Sequence, residues 1–231
     1  MSINAGDHAL IVGQTGSGKS VLLQRLIQES EIAPVFILDS KGDDGFLNLN
    51  QPGETSEIFD GGIFEFKKFI MQPVRRLPTY IIIRPPLNEI MNHLILDDYL
   101  VEIYTKFKGQ CLMIVDELYM IHKSGRCGNG LTAFLTRGRS QGKSLLGATQ
   151  RPSWISGFCL SECTHYYVFR LIDINDRKRL THIGYEKDKM LDRFHFYEYN
   201  AKDGRGILKP PLPLSPNTLQ KNSQDLNDNW I

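Results

Sequence analysis

Eight consecutive residues, Gly13, Gln14, Thr15, Gly16, Ser17, Gly18, Lys19 and Ser20, constrain this chain more than any other stretch of it. They fit G-x-x-x-x-G-K-[ST]. In that pattern small residues let successive backbone N–H groups turn inward around an anion, and the following helix aims its positive end at the same point. The flanks supply the required setting. Residues 8–13 (HALIVG) make an apolar run of strand type, and 21–30 place Leu22, Leu23, Leu26 and Ile27 at helical spacing. In such a loop Lys19 reaches the β- and γ-phosphates of a nucleotide, and the Ser20 hydroxyl is a ligand for Mg²⁺.

The alternation continues along the chain. Runs at 35–40 (VFILDS, entered through Pro34), 80–84 (YIIIR, closed by Pro85 and Pro86), 111–116 (CLMIVD) and 144–149 (SLLGAT) have the character of buried strands. Residues 87–108, ending at Gly109, and 131–141 have that of helices. Continuous apolar strands separated by helices need cover on both faces. The expected fold class is α/β: a doubly wound, mostly parallel sheet of P-loop NTPase (RecA-like) type over residues 1–209. A strand at 165–171 and a small C-terminal β-hairpin at 197–208, turning at Asp203-Gly204, complete it. Residues 210–231 are rich in Pro, Asn and Gln and cannot bury enough apolar surface to fold alone. They form either a disordered tail or a segment laid along a neighbouring subunit.

Composition removes several classes. With 27 Lys and Arg against 26 Asp and Glu in 231 residues, the net charge of +1 excludes a histone-like polycation. Contact with nucleic acid would have to come from local patches or pore-facing loops. Four cysteines, one of them (Cys111) inside an apolar run, fit reduced thiols in a cytoplasm-like compartment. The first residues, MSINAGDHALIVG, lack the basic and apolar regions of a signal peptide. No apolar run approaches the roughly 20 residues of a membrane span, so no transmembrane segment is expected.

The strand at 111–116 ends in Asp116 and Glu117. At the C-terminal edge of a sheet Asp116 can hold Mg²⁺ through its water shell, and Glu117 can polarise the attacking water as general base. Without the phosphate loop the pair would equally suit a strand leaving into a solvated acidic turn. With the loop, it points to hydrolysis of a nucleoside triphosphate. A small GTPase would need an N-K-x-D guanine signature, which the chain lacks, so ATP with Mg²⁺ is the expected ligand. A second polar strand end, Thr149-Gln150, would put the Gln150 amide near the γ-phosphate, to orient water or to sense loss of phosphate.

Residues 137–153 (RGRSQGKSLLGATQRPS) resemble the ATQRP region of the FtsK–HerA superfamily of P-loop motor ATPases. Residues 37–43 (ILDSKGD) resemble that superfamily's D-x-K-G-acidic segment. The resemblance spans roughly residues 8–170 through four motifs in the expected order. A short chain with no large accessory domain looks like the genome-packaging ATPases of tailless, membrane-containing double-stranded DNA viruses, the tectivirus-like group. The resemblance implies that Asp39 joins the nucleotide-binding residues, that Asp116 and Glu117 serve metal and water, and that Gln150 is a sensor. It implies that Arg139 reaches into a neighbour's ATP site as an arginine finger, with Arg137 a second candidate because TRGR offers both. Otherwise each arginine would be a solvated helix-end residue. The implied partners are further copies of the chain in a ring of five or six, double-stranded DNA held without sequence preference, and a capsid-vertex or membrane protein. The implied place is the host cytoplasm or a virion vertex.

A ring motor must grip a polyanion. Residues 121–130 (IHKSGRCGNG) are basic and Gly-rich, and would serve as a pore loop in which Lys123 and Arg126 touch DNA phosphates. An ordinary mobile loop is the plainer alternative. Lys67-Lys68, Arg75-Arg76 and Arg177-Lys178-Arg179 fit solvated faces, and Cys159-x-x-x-Cys163-x-His165 lacks a fourth metal ligand. The function expected is an ATP-driven translocase threading viral DNA into a preformed capsid. Its rivals are an ATP-dependent assembly or secretion switch, a cellular DNA translocase of the same superfamily, and a nucleotide kinase.

Overall fold

The apolar runs become the middle of one sheet. In a computed structural model the described residues are 3–42, 44–71, 77–123, 126–186, 188, 190–201 and 203–213, with side chains 44, 122 and 123 outside the description. The chain opens with β1 (His8–Val12), α1 (Lys19–Glu29) and β2 (Val35–Leu38). It continues through β3 (Ser56–Asp60), α2 (Ile63–Ile70), β4 (Tyr80–Arg84), α3 (Leu87–Ile90), α4 (His93–Lys106) and β5 (Cys111–Val115). A short hairpin of β6 (His122–Lys123) and β7 (Arg126–Cys127) precedes α5 (Asn129–Arg137) and β8 (Lys143–Thr149). Then follow α6 (Gly157–Ser161), β9 (His165–Phe169), α7 (Ile174–Arg179), β10 (Phe196–Asn200) and β11 (Gly206–Lys209).

Among the described residues the main sheet has the order β11-β10-β9-β1-β8-β5-β2-β4-β3. From β9 to β3 every pairing is parallel, and β10 and β11 add on antiparallel. The sheet buries both faces because strand neighbours along the chain point opposite ways. Leu10, Val12, Phe36, Leu38, Met113 and Val115 join the core beneath α4 and α5. Ala9, Ile11, Ile37 and Ile114 join the core beneath α1, with its Leu22, Leu23, Leu26 and Ile27. Each such side chain, fully withdrawn from water, contributes about 2 kcal/mol before entropy.

The expected doubly wound α/β architecture stands, with four differences of detail. The long helix expected at 87–108 is two helices. Asn92 breaks it, because its side chain accepts from the Leu94 N–H and caps a new helix start. The helix expected at 131–141 ends at Arg137, and 139–141 continue as a 3-10 turn. Strand β3 and helix α2 were not expected, although α2 turns Ile63, Phe66, Phe69 and Ile70 toward the core. β3 is a mostly exposed edge strand, so little selects for alternation there. The expected C-terminal hairpin is present as β10 and β11, and it joins the main sheet because β10 pairs with β9. Of the expected tail, 210–213 are described and lay Leu212 against the α1-side core; 214–231 lie outside the described residues.

Candidate nucleotide-binding site

Strand β1 lies between β8 and β9, so the glycine-rich loop leaves the sheet near its middle, at the ends where parallel strands finish. The loop is pinned to both neighbours. Gly13 N–H donates to Thr149 O at 3.3 Å and Gln14 N–H to Arg170 O at 3.1 Å. Gly18 precedes α1 with φ at 105°, a left-handed geometry that a side chain would strain. At Gly13 any β-carbon would lie 2.6 Å from both Phe169 Cβ and Ser17 Oγ. Glycine is therefore required at both positions by space or backbone, apart from any ligand.

Lys19 is buried at the start of α1 and donates to Gln14 O at 2.9 Å, its one hydrogen bond among the described residues. Burial lowers its pKa to about 8, against the pull of Glu117 and Asp116. An ammonium with three donors and one acceptor has capacity left for phosphate oxygens. Ser20 follows on the first turn and is exposed.

The acidic pair follows β5, and β8 separates β5 from β1. Asp116 and Glu117 are both buried. The Lys41 ammonium bridges them, 3.0 Å from Asp116 Oδ2 and 3.1 Å from Glu117 Oε2. Burial works to lower the Lys41 pKa, but the two carboxylates outweigh it and raise it. The other Glu117 oxygen accepts from Gln150 N–H at 3.3 Å. The Gln150 side-chain oxygen in turn accepts from Thr15 Oγ1–H at 2.6 Å. The loop and the ends of β8 and β5 are thus joined through Thr15, Gln150, Glu117 and Lys41.

This donor set fits a divalent ion shared with a phosphate. Lys41 is a monovalent cation seated on the two carboxylates, which marks the place as cation-attracting. Among the described residues no group of three His, Cys, Asp or Glu could hold a metal alone. Ser20 and Asp116 would supply part of a shell that phosphate oxygens and water complete.

Other expected residues are placed differently. Asp39 follows β2, three strand positions from β1, and its carboxylate accepts from Arg84 at 2.9 Å. Arg137 and Arg139 are exposed before β8, at the opposite end of that strand from Gln150, about 20 Å away. They stand outside their own chain's loop and face solvent. There the Arg139 charge, after burial, helps to hold the His8 pKa down at about 4.

Arg126 is exposed on β7; the Lys123 side chain, Ser124 and Gly125 lie outside the described residues. The expectation of a flexible Gly-rich loop fails in its second half. Asp97 on α4 accepts from Gly130 N–H at 2.7 Å and Leu131 N–H at 2.9 Å, fixing the start of α5. A β-carbon on Gly128 would fall 2.2 Å from Asp97 Cγ, so that glycine serves close packing. Arg177-Lys178-Arg179 is not wholly a solvated face, since Arg179 donates to Ile155 O at 3.0 Å. Arg75 and Arg76 lie outside the described residues.

Two residues carry more of the site than their motifs suggested. Lys41 had a motif but no assigned role. Arg151, directly after Gln150, donates to Asp173 at 3.0 Å, pairs with Asp176 at 3.5 Å and packs over Trp154. Its position beside Gln150 was the available signal.

Comparison with known proteins agrees with the fold. Residues 4–85 match the family model described as "Helicase HerA, central domain". That match covers β1 to β4 and the glycine-rich loop. The chain's motif resemblance to the FtsK–HerA superfamily is upheld. Over 124 residues, 49% of this chain, it is 27% identical to the DNA packaging ATPase P9 of Enterobacteria phage PRD1. That alignment spans about half the length of the relative, 53%. The genome packaging NTPase B204 of Sulfolobus turreted icosahedral virus 2, solved with ATP-gammaS, superposes at TM-score 0.68 and 18% identity. The match covers 91% of this chain and all (100%) of that one. The bacterial conjugative coupling protein TrwB superposes at TM-score 0.65 and 12% identity, covering 92% of this chain and 86% of its own. These superpositions show a shared fold. No helix among the described residues is long and apolar enough to cross a membrane.

Proposed function

We propose that this chain is an ATPase subunit of a ring motor that drives double-stranded DNA into a preformed viral capsid from the host cytoplasm. The observation that carries the reading is the line of contacts from Thr15 through Gln150 to Glu117 and Lys41. It ties a phosphate loop to a buried carboxylate able to accept a proton from water. The kinship with phage P9, and the fold shared with B204, both named as packaging proteins, support the task.

The chain's own residues divide the work. Loop N–H groups and Lys19 hold the β- and γ-phosphates. Mg²⁺, held by Ser20 and Asp116, would neutralise phosphate charge. Binding of that charge draws Lys41 off the acidic pair and frees Glu117 Oε2. Glu117 accepts a proton as water attacks the γ-phosphorus, and the bond to the bridging β,γ-oxygen breaks to leave ADP and phosphate. Because Glu117 leads directly into the 3-10 turn Leu118–Ile121 and then the β6–β7 hairpin, changes there are passed toward Arg126 and Lys123. These two would contact DNA phosphates without reading sequence. Arg139, or Arg137, is offered to a neighbour's site.

Glu117→Gln should keep ATP affinity while turnover falls at least about a hundredfold, and long duplex DNA should stimulate the wild type. An ATPase rate indifferent to DNA at low and moderate salt would overturn the motor reading. For the finger, Arg139→Ala subunits mixed with Lys19→Ala subunits should regain activity that neither has alone, because one mixed interface then has both an intact loop and an intact arginine. A mixture with no recovery, while dilution of wild type by either variant falls only in proportion, would exclude Arg139.

A further inference from the structure

The loop has two sides, and the chemistry just described uses one. β8 and β5, with Gln150 and Glu117, lie on one side of β1, whereas β9 and β10 lie on the other. A linear nucleotide with its terminal phosphate toward Glu117 must run its nucleoside end toward the β9–β10 side. A cleft of about 210 Å³ lies there, between loop residues 14–17 and Arg170, Arg193 and Phe194.

Phe194 is unusual in three respects. It is the third residue of a turn closed by His195 N–H to Asp192 O at 3.2 Å, and its φ is 67°. That position favours glycine or asparagine, and a bulky aromatic in left-handed geometry is strained. The residue is 40% exposed, whereas neighbouring Phe169 and Phe196 are buried. The ring edge lies 3.6 Å from where a β-carbon on Gly18 would sit, so it stands at the lip of the phosphate loop. The Arg193 guanidinium packs 4.6 Å from the ring centroid. Deeper in the cleft, Arg170 Nε and Gln14 Oε1 are buried with no hydrogen-bond partner among the described residues.

We infer that Phe194 is the stacking platform for the purine base of the bound nucleotide, with Arg193 and Arg170 facing its sugar and α-phosphate oxygens. The inference rests on the nucleotide reading of the loop. Strain held at an exposed aromatic is explained if the ring must stand over the loop, and the unpaired guanidinium nitrogen gains an acceptor when the ligand enters.

The test compares ATP with inorganic tripolyphosphate, which offers phosphates but no base, by calorimetric titration of the full chain. Wild type should bind ATP more tightly. Phe194→Gly, which removes ring and backbone strain together, should weaken ATP about tenfold and leave tripolyphosphate unchanged. Phe194→Tyr should restore ATP. The thermal midpoint without ligand should not fall in Phe194→Gly. If wild type binds both ligands equally, or Phe194→Gly binds ATP as wild type does, the stacking role is wrong. It is also wrong if Phe194→Gly weakens both ligands equally, since the ring then only supports the loop. If wild type binds neither ligand, the nucleotide reading itself fails.

Discussion

Two buried lysines stand at opposite ends of the central strands, and their contrast separates a binding group from a structural one. Lys143 opens β8 and is only 2% exposed. It donates to Tyr104 O at 2.6 Å and Phe107 O at 2.8 Å, closing the C-terminus of α4, with its ammonium 4.7 Å from the Tyr104 ring centroid. Lys19, at the other end, donates to one carbonyl, Gln14 O within its own loop. Burial lowers both pKa values. A buried cation with a lowered pKa is therefore no mark of a site by itself. Lys143 has its charge answered by carbonyls at a helix end, where cations are favoured. Lys19 keeps unused donors pointed where phosphate would lie.

The sharpest way to break the contrast is to truncate each lysine. Lys19→Ala should abolish ATP binding, a loss of at least about a hundredfold, while its thermal midpoint without nucleotide holds or rises. Lys143→Ala should bind ATP normally yet lose about 3 kcal/mol in urea unfolding, because two helix-end carbonyls lose their donor. If a folded Lys143→Ala no longer binds ATP, the two lysines are not distinct in kind.

A smaller effect concerns pH. A bound triphosphate raises the Lys19 pKa from about 8, so binding takes up a proton once the free lysine begins to deprotonate. Affinity should hold up to about pH 8 and then weaken by as much as tenfold per unit. Titration in buffers of different ionisation enthalpy at pH 8.5 should report net proton uptake. Zero uptake would mean that Lys19 already carries its proton throughout this range.

Lys41 extends the comparison to a third lysine, one whose ammonium is seated on two buried carboxylates. Lys41→Ala should tighten Mn²⁺ binding to the nucleotide-free protein by about threefold, since the competing cation is gone. Paramagnetic resonance titration would show it, and weaker Mn²⁺ binding would mean that Lys41 orders the carboxylates instead of covering them. Of these four changes it is the smallest, because the Lys41 side chain is more than a third exposed.

Much of this could be foreseen because it is local. The loop's glycines, the lysine and serine that follow, and the apolar runs that make β1, β2, β4, β5 and β8 each depend on residues a few places apart. Glu117 and Gln150 were found for the same reason, as polar residues at strand ends. Cross-strand neighbours escape such inspection. The pairing of Asp39, after β2, with Arg84 at the end of β4 joins residues 45 places apart that no local pattern connects. The glycines at 128 and 130 suggested a loose loop, whereas Asp97, some thirty residues earlier, needs their bareness to reach two N–H groups.

By itself, then, the order of residues determined that a triphosphate-type loop opens an α/β sheet and that an acidic pair and an amide end two later strands. Hydrogen-bond geometry and apolar periodicity act over a handful of positions, and are visible there. Only the tertiary structure decided which strand lies beside which. That choice set Lys41 on the carboxylates, joined Gln150 to Thr15, and stood a strained Phe194 at the far lip of the loop, because packing of the two sheet faces brings together residues that no spacing along the chain connects.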